Sequence, residues 1–498
     1  MRRTLCIGNS FGKSKMKIYF CRILFILLLC LPATTSLAAD VESPAFRAGA
    51  AKADITPTTW PVPTVGYFYE HLADKAWDPL HVRAIVLDDG ATKIAIAVVD
   101  SCYCPRSLFD EAKRRIEKST DIRSDHIMAS ATHTHSAPYA RDRGTCKADP
   151  KYVERITQGI VDAVTKANQN LESAEFGRGS VDVPEEVFNR RWFMKPGGIK
   201  PSPFFETMDK VRMNPPRGSK LLDRPAGPTD PEVSFVSLRA VDGRPIALLA
   251  NYSLHYVGGI APGGVSADYF GEFAGLIEKR LGANHEKHPP MVAIMSNGTS
   301  GDINNLNFPH PRKKTDNFQQ MRAVAGRVAD AVTDSYRSVD HRRDVTLAMA
   351  QQKLTLNKRR PTPEQVAKAK KLLAAEKDSP LSAIVKCYVL RTLKFNEPPH
   401  TAELVLQAAR IGDLGITAIP CEVFAEVGLN IKKKSPLADN FTIELANGHY
   451  GYLPTPHQHA LGGYETWLGT CELEIEASDK IEAALFGLLD QVNKKNSK

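Results

Sequence analysis

Short apolar runs rich in β-branched residues alternate with amphipathic stretches along most of this 498-residue chain. Val153, Ile156, Ile160 and Val164 recur at helical spacing, and the same period returns between residues 321 and 332. Strands that alternate with helices predict an α/β fold, here a mixed β-sheet core with flanking helices. The runs predicted to be strands are 94–99, 127–132, 246–249, 291–295, 416–419 and 441–445.

Four of these predicted strands lead directly into segments with side chains that commonly bind metals. In open α/β sheets, ligands bind beyond the carboxyl ends of the strands, so we expect the four segments to converge there. The segments are 133–138, 251–255, 420–422 and 446–452. The sequence therefore predicts a metal site at the C-terminal ends of the strands.

His133 and His135 form the most suggestive pair in these segments. Residues i and i+2 of an extended chain point to the same side, so both imidazoles can face one site. Imidazoles combined with a carboxylate and a phenol suit a catalytic zinc with an open position better than a Cys-rich structural zinc. The same spacing also occurs in ordinary loops, and we interpret the second His-x-His, at 457–459, as peripheral.

Much of the formal net charge of +9 lies at the N-terminus. Residues 1–38 hold six basic and no acidic residues, and the basic residues precede the apolar run 23–31 and a stretch of small residues. This order is typical of a cleavable secretory signal peptide. Its removal lowers the charge from +9 by six, to +3, which gives no basis for binding nucleic acid. We therefore expect a secreted or periplasmic protein with a signal peptide at 1–38.

Several motifs follow one another in an order that resembles a known family. They are 48–57, the His133/His135 pair, 251–255, Gly301-Asp302, 419–422, and 446–448 followed by the stretch from Tyr452 to Tyr464. In these motifs the chain resembles the neutral/alkaline non-lysosomal ceramidases, especially the secreted ceramidase-like proteins of environmental bacteria. The resemblance spans nearly the whole chain after the signal peptide.

The resemblance implies a zinc-dependent amidohydrolase that cleaves the N-acyl amide bond of ceramide or a related N-acyl lipid with a zinc-activated water. It also implies a transient contact with a membrane surface. His135 and Tyr464 match family residues that contact the reacting carbonyl oxygen or its tetrahedral intermediate. Arg190 matches an arginine near the site, a place that Arg191 could also fill. The implied ligands of one zinc ion per chain are His133, His255, Glu422 and Tyr452.

Residues 39–498 are predicted to form one large hydrolase domain. The matched site residues extend from His133 to Tyr464, and no cut between them leaves a complete site. Residues 359–390, rich in Lys and Ala, predict a helical insert, and residues 195–232, rich in Pro and Gly, predict a long loop. The immunoglobulin-like domain at the C-terminus of the family is expected to be absent, because only about one helix follows Tyr464.

The chain also departs from the family. Characterised ceramidases carry Gly-Asp-x-Ser-Pro-Asn, whereas residues 301–307 here read Gly-Asp-Ile-Asn-Asn-Leu-Asn. A mechanism with a zinc-activated water does not need the missing serine as nucleophile, so the change bears on the substrate. Two alternatives stay open at this point: another metallohydrolase, an esterase or amidohydrolase with a soluble substrate, and a secreted binding protein with a residual metal site.

Overall fold

Two β-sheets pack face to face in the computed structural model, which describes residues 46–66, 71–144, 146–282 and 287–494. Within these residues the large sheet has eight strands, with parallel pairs at both edges and antiparallel pairs between them. In spatial order its strands are Val292–Asn297, Pro245–Tyr252, Glu232–Ala240, Glu172–Asp182, Arg47–Asp54, His81–Asp88, Lys93–Val99 and Ile127–Ala131.

The small sheet is also mixed. Its two longest strands are antiparallel neighbours, and its last two strands are parallel. A parallel pair of this kind brings the carboxyl ends of both strands to the same edge of the sheet. The order of its four described strands is Leu347–Asn357, Thr401–Ile411, Leu414–Ile419 and Asp439–Glu444.

The core between the sheets explains why the predicted strands are almost continuously apolar. Along the strand Lys93–Val99, Ile94, Ile96 and Val98 join the residues buried between the two sheets. The alternate residues of the same strand pack under the helices Arg106–Ser119 and Pro150–Gln169. Since side chains of a strand alternate between its faces, a strand covered on both sides must be apolar throughout.

Helices cover the outer faces of both sheets, which gives a helix–sheet–sheet–helix arrangement. Ser43–Lys498 forms one compact unit. No helix of the described part is long and apolar enough to cross a bilayer. The α-helices are Arg106–Ser119, Pro150–Gln169, Asp268–Leu281, Gln319–Tyr336, Pro363–Ala374, Ala383–Phe395, Ala425–Lys434, Pro456–Leu461 and Ala477–Lys494.

Short strands connect these layers and form small two- and three-stranded sheets. The pair Glu422–Val423 and Tyr452–Leu453 contributes to the site described below. The remaining short strands are Val62–Thr64, His71–Ala73, Lys75–Ala76, Phe188–Asn189, Arg191–Met194, Val211–Met213, Leu222–Pro225, Gly264–Val265 and Ile303–Asn304.

The mixed α/β fold with flanking helices is confirmed, and each predicted strand is present. Residues 195–232 are largely a loop, but they also contain Val211–Met213 and Leu222–Pro225, which pair with Arg191–Met194. The Pro and Gly content hid these strands because both are very short. The predicted insert 359–390 contains two helices, the first opened by a capping box between Thr362 and Gln365. The predicted signal peptide lies outside the described residues.

Candidate metal centre

The strand-end segments of the two sheets converge on a cluster of buried, metal-binding side chains. The large sheet supplies His133 and His255, and the segment after the small-sheet strand Leu414–Ile419 supplies Glu422. His133 Nε2 lies 3.0 Å from His255 Nε2 and 3.4 Å from Glu422 Oε2. His133, His255 and Glu422 offer ligand atoms close enough together to hold one metal ion.

His133 and His135 meet as predicted, but by a different route. The strand Ile127–Ala131 ends before His133, which adopts the left-handed backbone conformation with φ 77°. Its amide donates to Ser101 O at 2.9 Å, and its Nε2 lies 3.2 Å from that of His135. Left-handed backbone in a residue with a β-carbon costs about 1–3 kcal/mol and is concentrated at functional sites. A strained turn, rather than strand alternation, aims the imidazole into the site.

Glu422 is placed by a short pair of parallel strands and by a close backbone approach. Glu422–Val423 pairs with Tyr452–Leu453 so that Glu422 lies opposite Tyr452. The Gly301 amide donates to Val423 O at 2.7 Å, and a β-carbon on Gly301 would lie 2.6 Å from Glu422 O. Glycine therefore permits this contact, and the Gly301-Asp302 motif supports the segment that carries Glu422.

The hydrogen bonds of the two ligand histidines fix their tautomers. His133 Nδ1 lies 2.8 Å from Cys102 O, and His255 Nδ1 lies 3.1 Å from Ser300 O. A carbonyl oxygen only accepts, so each Nδ1 carries the proton and each Nε2 presents a lone pair. These lone pairs face each other across 3.0 Å beside the ionised Glu422. Such a concentration of electron pairs is stabilised by a cation, so the residues present fit a bound metal ion.

The protonation states agree with this interpretation. Burial lowers the pKa of His133, His135 and His255, so the imidazoles are neutral at neutral pH. Burial also raises the pKa of the Glu422 carboxyl, but the neighbouring imidazoles lower it by more, and the net pKa is well below its usual value. Glu422 Oε2 is buried and has no hydrogen-bond partner within the described part of the chain.

Arg190, rather than Arg191, faces the cluster. Its Nη1 lies 3.4 Å from His255 Nε2, and its Nε donates to Glu465 Oε1 at 2.8 Å. Burial lowers the pKa of Arg190, but Tyr452 and Glu465 outweigh it, so the net pKa lies well above its usual value and the group is cationic. Arg191 is fully buried and donates to the other oxygen of Glu465 at 2.8 Å. The ambiguity between the two arginines is thereby removed in geometric terms.

Aromatic side chains form the wall of the cluster. The rings of Tyr452 and Tyr464 lie 6.0 Å apart, and the Arg190 guanidinium lies 5.2 Å from the centre of the Tyr452 ring. Burial raises the pKa of both tyrosines, so both phenols are protonated at neutral pH. His135 stacks on Tyr256 with ring centres 3.7 Å apart. All seven site residues predicted from the sequence therefore lie in one region.

Three further residues of this region were not predicted. Tyr256 directly follows His255, and Glu465 directly follows Tyr464, so their positions beside matched residues were the available signal. His449 lies in the segment after the strand Asp439–Glu444, and its Nε2 is 3.1 Å from Glu422 Oε1. That contact joins two loops that are distant in the fold's local geometry, and nothing in the residue types alone predicts it.

The second His-x-His does not join the cluster. Residues 457–459 lie in the short helix Pro456–Leu461, where residues i and i+2 point in different directions. His457 is exposed, whereas burial lowers the pKa of His459 to about 4. The first of these imidazoles is peripheral as predicted, and the second is partly enclosed by the protein.

The fold and the cluster define a mixed α/β protein with a buried His/Glu group that can hold a metal ion. Residues 46–325, more than half of the chain, match the family model described as "Neutral/alkaline non-lysosomal ceramidase, N-terminal". The chain therefore belongs to the neutral/alkaline non-lysosomal ceramidase family, as the sequence motifs indicated. Membership in this family and the fold make it a ceramidase-like hydrolase.

Two solved structures are similar to this fold. One is neutral ceramidase from Pseudomonas aeruginosa, with a TM-score of 0.68 and 17% identity over 90% of this chain and 75% of that chain. The other is a ceramidase complexed with C2, with a TM-score of 0.68 and 15% identity over 91% of this chain and 76% of that chain. At these identities the likeness establishes the fold. Glu422, Tyr452 and Tyr464 lie beyond the residues that match the family model.

Proposed function

We propose that the chain is a secreted, zinc-dependent amidohydrolase that cleaves the N-acyl amide bond of ceramide or a related N-acyl lipid. The observation that carries this proposal is the convergence of His133 Nε2, His255 Nε2 and Glu422 Oε2 in a buried site. Family membership supports the substrate class, as does the similarity of the fold to a neutral ceramidase.

The donor set supports zinc as the metal. Two imidazoles and one carboxylate form the usual protein part of a catalytic zinc site, whereas Mg²⁺ and Ca²⁺ prefer oxygen ligands alone. His133, His255 and Glu422 would hold the ion, with the Tyr452 phenol opposite Glu422 as the fourth protein group. Zinc in such a site supplies Lewis acidity, which polarises a carbonyl group and makes water a better nucleophile near neutral pH.

Arg190 and Tyr464 are assigned to the oxygen of the scissile carbonyl, where negative charge develops. Arg190 is held in place by Glu465, and its Nη2 is buried without a hydrogen-bond partner in the described residues. The Tyr464 phenol is protonated and therefore able to donate. Fixed donors that face a developing oxyanion in a water-poor site are worth about 2.7–4 kcal/mol each.

His135 is assigned to proton transfer or to hydrogen bonding of the same carbonyl oxygen. Burial keeps its imidazole neutral, so one ring nitrogen can accept a proton and the other can donate one. Stacking on Tyr256 fixes the plane of the ring beside the ligand histidines. The leaving amine needs a proton when the C–N bond breaks, and His135 is well placed by chemistry to supply it.

Export and membrane contact belong to the same proposal. The basic, apolar and small-residue segments within 1–38 support cleavage by a signal peptidase and a secreted or periplasmic location. Determination of the N-terminal sequence of protein recovered outside the cytoplasm tests this, and we expect it to begin close to Ala39. An intact Met1 on exported protein would contradict it.

The catalytic proposal is tested by metal analysis followed by hydrolysis of a panel of N-acyl substrates. We expect about one zinc per chain, release of fatty acid from ceramide or another N-acyl amine, loss of activity with a chelator, and its return with zinc. Hydrolysis of esters but no amides would favour the alternative metallohydrolase. A zinc-loaded protein inert to every amide and ester would favour the binding protein.

A further inference from the structure

The two carboxylate oxygens of Glu422 have different surroundings. Oε1 lies 3.1 Å from His449 Nε2. Oε2 lies 3.4 Å from His133 Nε2 and has no hydrogen-bond partner in the part of the chain that the structure describes. One oxygen is therefore engaged by a side chain, and the other remains available on the side of the ligand histidines.

Arg141 determines which nitrogen of His449 carries the proton. Arg141 Nη2 lies 2.8 Å from His449 Nδ1, and its Nη1 donates to the carbonyl oxygen of His449 at 3.3 Å. A guanidinium group only donates, so His449 Nδ1 must accept. The proton of the neutral ring is then on Nε2, which donates to Glu422 Oε1. Arg141, His449 and Glu422 form a directed chain of hydrogen bonds.

Packing fixes the orientation of the His449 ring. Tyr103 stacks on it with ring centres 4.6 Å apart and an angle of 21° between the planes. The Arg141 guanidinium lies 4.9 Å from the centre of the same Tyr103 ring. The side chains of His449 and Glu422 are each 8% exposed, so water does not readily replace their contact.

We propose that His449 is a positioning residue, which holds Oε1 of Glu422 and so leaves Oε2 to bind the metal ion. This inference rests on the proposed function, because it gives His449 a task only in a metal-binding protein. A donor to the outer oxygen of a ligating carboxylate restricts its rotation and lowers the cost of ordering it on metal binding. Loss of such a partner typically weakens metal binding about 10–100-fold.

Asn and Gln at position 449 separate the hydrogen bond from the mere volume of the side chain. The amide nitrogen of Gln lies where His Nε2 does, whereas Asn reaches only as far as His Nδ1. We therefore expect His449→Asn to weaken zinc binding about 10–100-fold and His449→Gln to stay within about threefold of the unaltered protein. His457→Asn, at an exposed histidine, is the matched control and should leave zinc affinity unchanged.

Arg141 provides an independent test, because it should act only through His449. Arg141→Met lets the His449 ring adopt either tautomer, and we expect about 3–10-fold weaker zinc binding. In the His449→Asn background the same substitution should add nothing, since the chain is already broken. Additive effects would mean that Arg141 acts on the site by another route and would overturn the relay.

The measurement is zinc affinity of the purified full-length variants by competition with a chromogenic chelator. The visible spectrum of the cobalt-loaded proteins accompanies it, and thermal unfolding of the metal-free proteins controls for folding. A spectrum altered in His449→Asn and restored in His449→Gln supports the proposal. Equal affinity in His449→Asn and the unaltered chain would overturn the role of His449 alone. Absence of zinc binding by the unaltered chain would overturn the proposed function and this role together.

Discussion

The two sheets hold their parts of the candidate metal centre in different ways. His133 and His255, from the large sheet, are oriented by main-chain carbonyl groups at 2.8 Å and 3.1 Å. Glu422, from the small-sheet side, is oriented by the side chain of His449, which in turn depends on Arg141. Carbonyl groups stay in place when a side chain is exchanged, whereas a chain of side chains is broken by a single substitution.

This contrast shows how the site divides its tolerance of sequence change. The histidine part is fixed wherever the strand ends are fixed, so most substitutions around it should preserve the ligand geometry. The carboxylate part depends on particular residue types far apart in the chain. Variants of the supporting residues should therefore affect metal binding strongly on the small-sheet side and weakly on the large-sheet side.

The largest effect is expected from removal of a ligand itself. His133→Ala leaves two of the three clustered ligands, and we expect zinc content to fall below about a tenth of an equivalent and turnover to disappear. Metal analysis of the purified variant measures this, with His457→Ala as the control at an exposed histidine. Full retention of zinc by His133→Ala would contradict the assignment of the centre.

The buried ion pairs around Glu465 should be next in size. The carboxylate of Glu465 accepts from Arg190 and Arg191, both at 2.8 Å, and all three side chains are buried. Glu465→Gln leaves two buried cations without a counter-charge, which should cost about 3–5 kcal/mol of unfolding free energy.

Chemical denaturation measures that cost, and Glu476→Gln at an exposed position is the control. The control should change the free energy of unfolding by less than about 0.5 kcal/mol. If both variants unfold at the same denaturant concentration, the side-chain pairs around the site contribute much less than the comparison between the two sheets requires.

A pH-dependent effect is expected where the two parts of the site meet. Lys113, on the helix Arg106–Ser119, donates to Asn447 Oδ1 at 2.6 Å, two residues before His449. Burial lowers the pKa of Lys113 from 10.5 to about 7. Above pH 7 the unfolded chain therefore binds more protons at this residue than the folded chain does.

Stability should accordingly rise with pH between about 7 and 10, by up to about 1.4 kcal/mol per pH unit from this residue. Lys113→Met should remove that contribution and flatten the curve. Denaturation midpoints of both proteins at several pH values measure the difference. Parallel curves for the two proteins would mean that Lys113 stays charged in the folded state.

The smallest effect is expected on the side of the site that is held by the main chain. Cys102 is buried, and its Sγ lies 3.7 Å from His133 Nδ1, but the closer partner of that nitrogen is the Cys102 carbonyl oxygen. Cys102→Ala keeps the carbonyl, so zinc affinity should stay within about threefold of the unaltered protein. A loss as large as that expected for His449→Asn would remove the distinction between the two parts.

The strands and the ligand histidines could be predicted for a simple reason. Both faces of each core strand are covered, so the strands are apolar without interruption, and their ends are marked by polar residues such as His133 and His255. Convergence then follows from the way parallel neighbours end at one edge of a sheet. Family motifs added Glu422 and Tyr452.

The supports of the site could not be predicted, because they join residues that are remote in sequence. Arg141 and His449 are 308 residues apart, and Arg190 and Glu465 are 275 apart. Many arginines and acidic residues could form such pairs, and residue type alone does not choose among them. The left-handed conformation of His133 was also hidden, since the sequence there reads as a continuing strand.

The sequence by itself determined the α/β layers, the positions where the strands end and the kinds of side chain offered there, because these depend on local periodicity and burial. Tertiary structure alone decided which nitrogen of each imidazole faces the centre and which oxygen of Glu422 is left available. Those choices depend on donors and acceptors brought together by packing of the two sheets, at distances near 3 Å that no local pattern encodes.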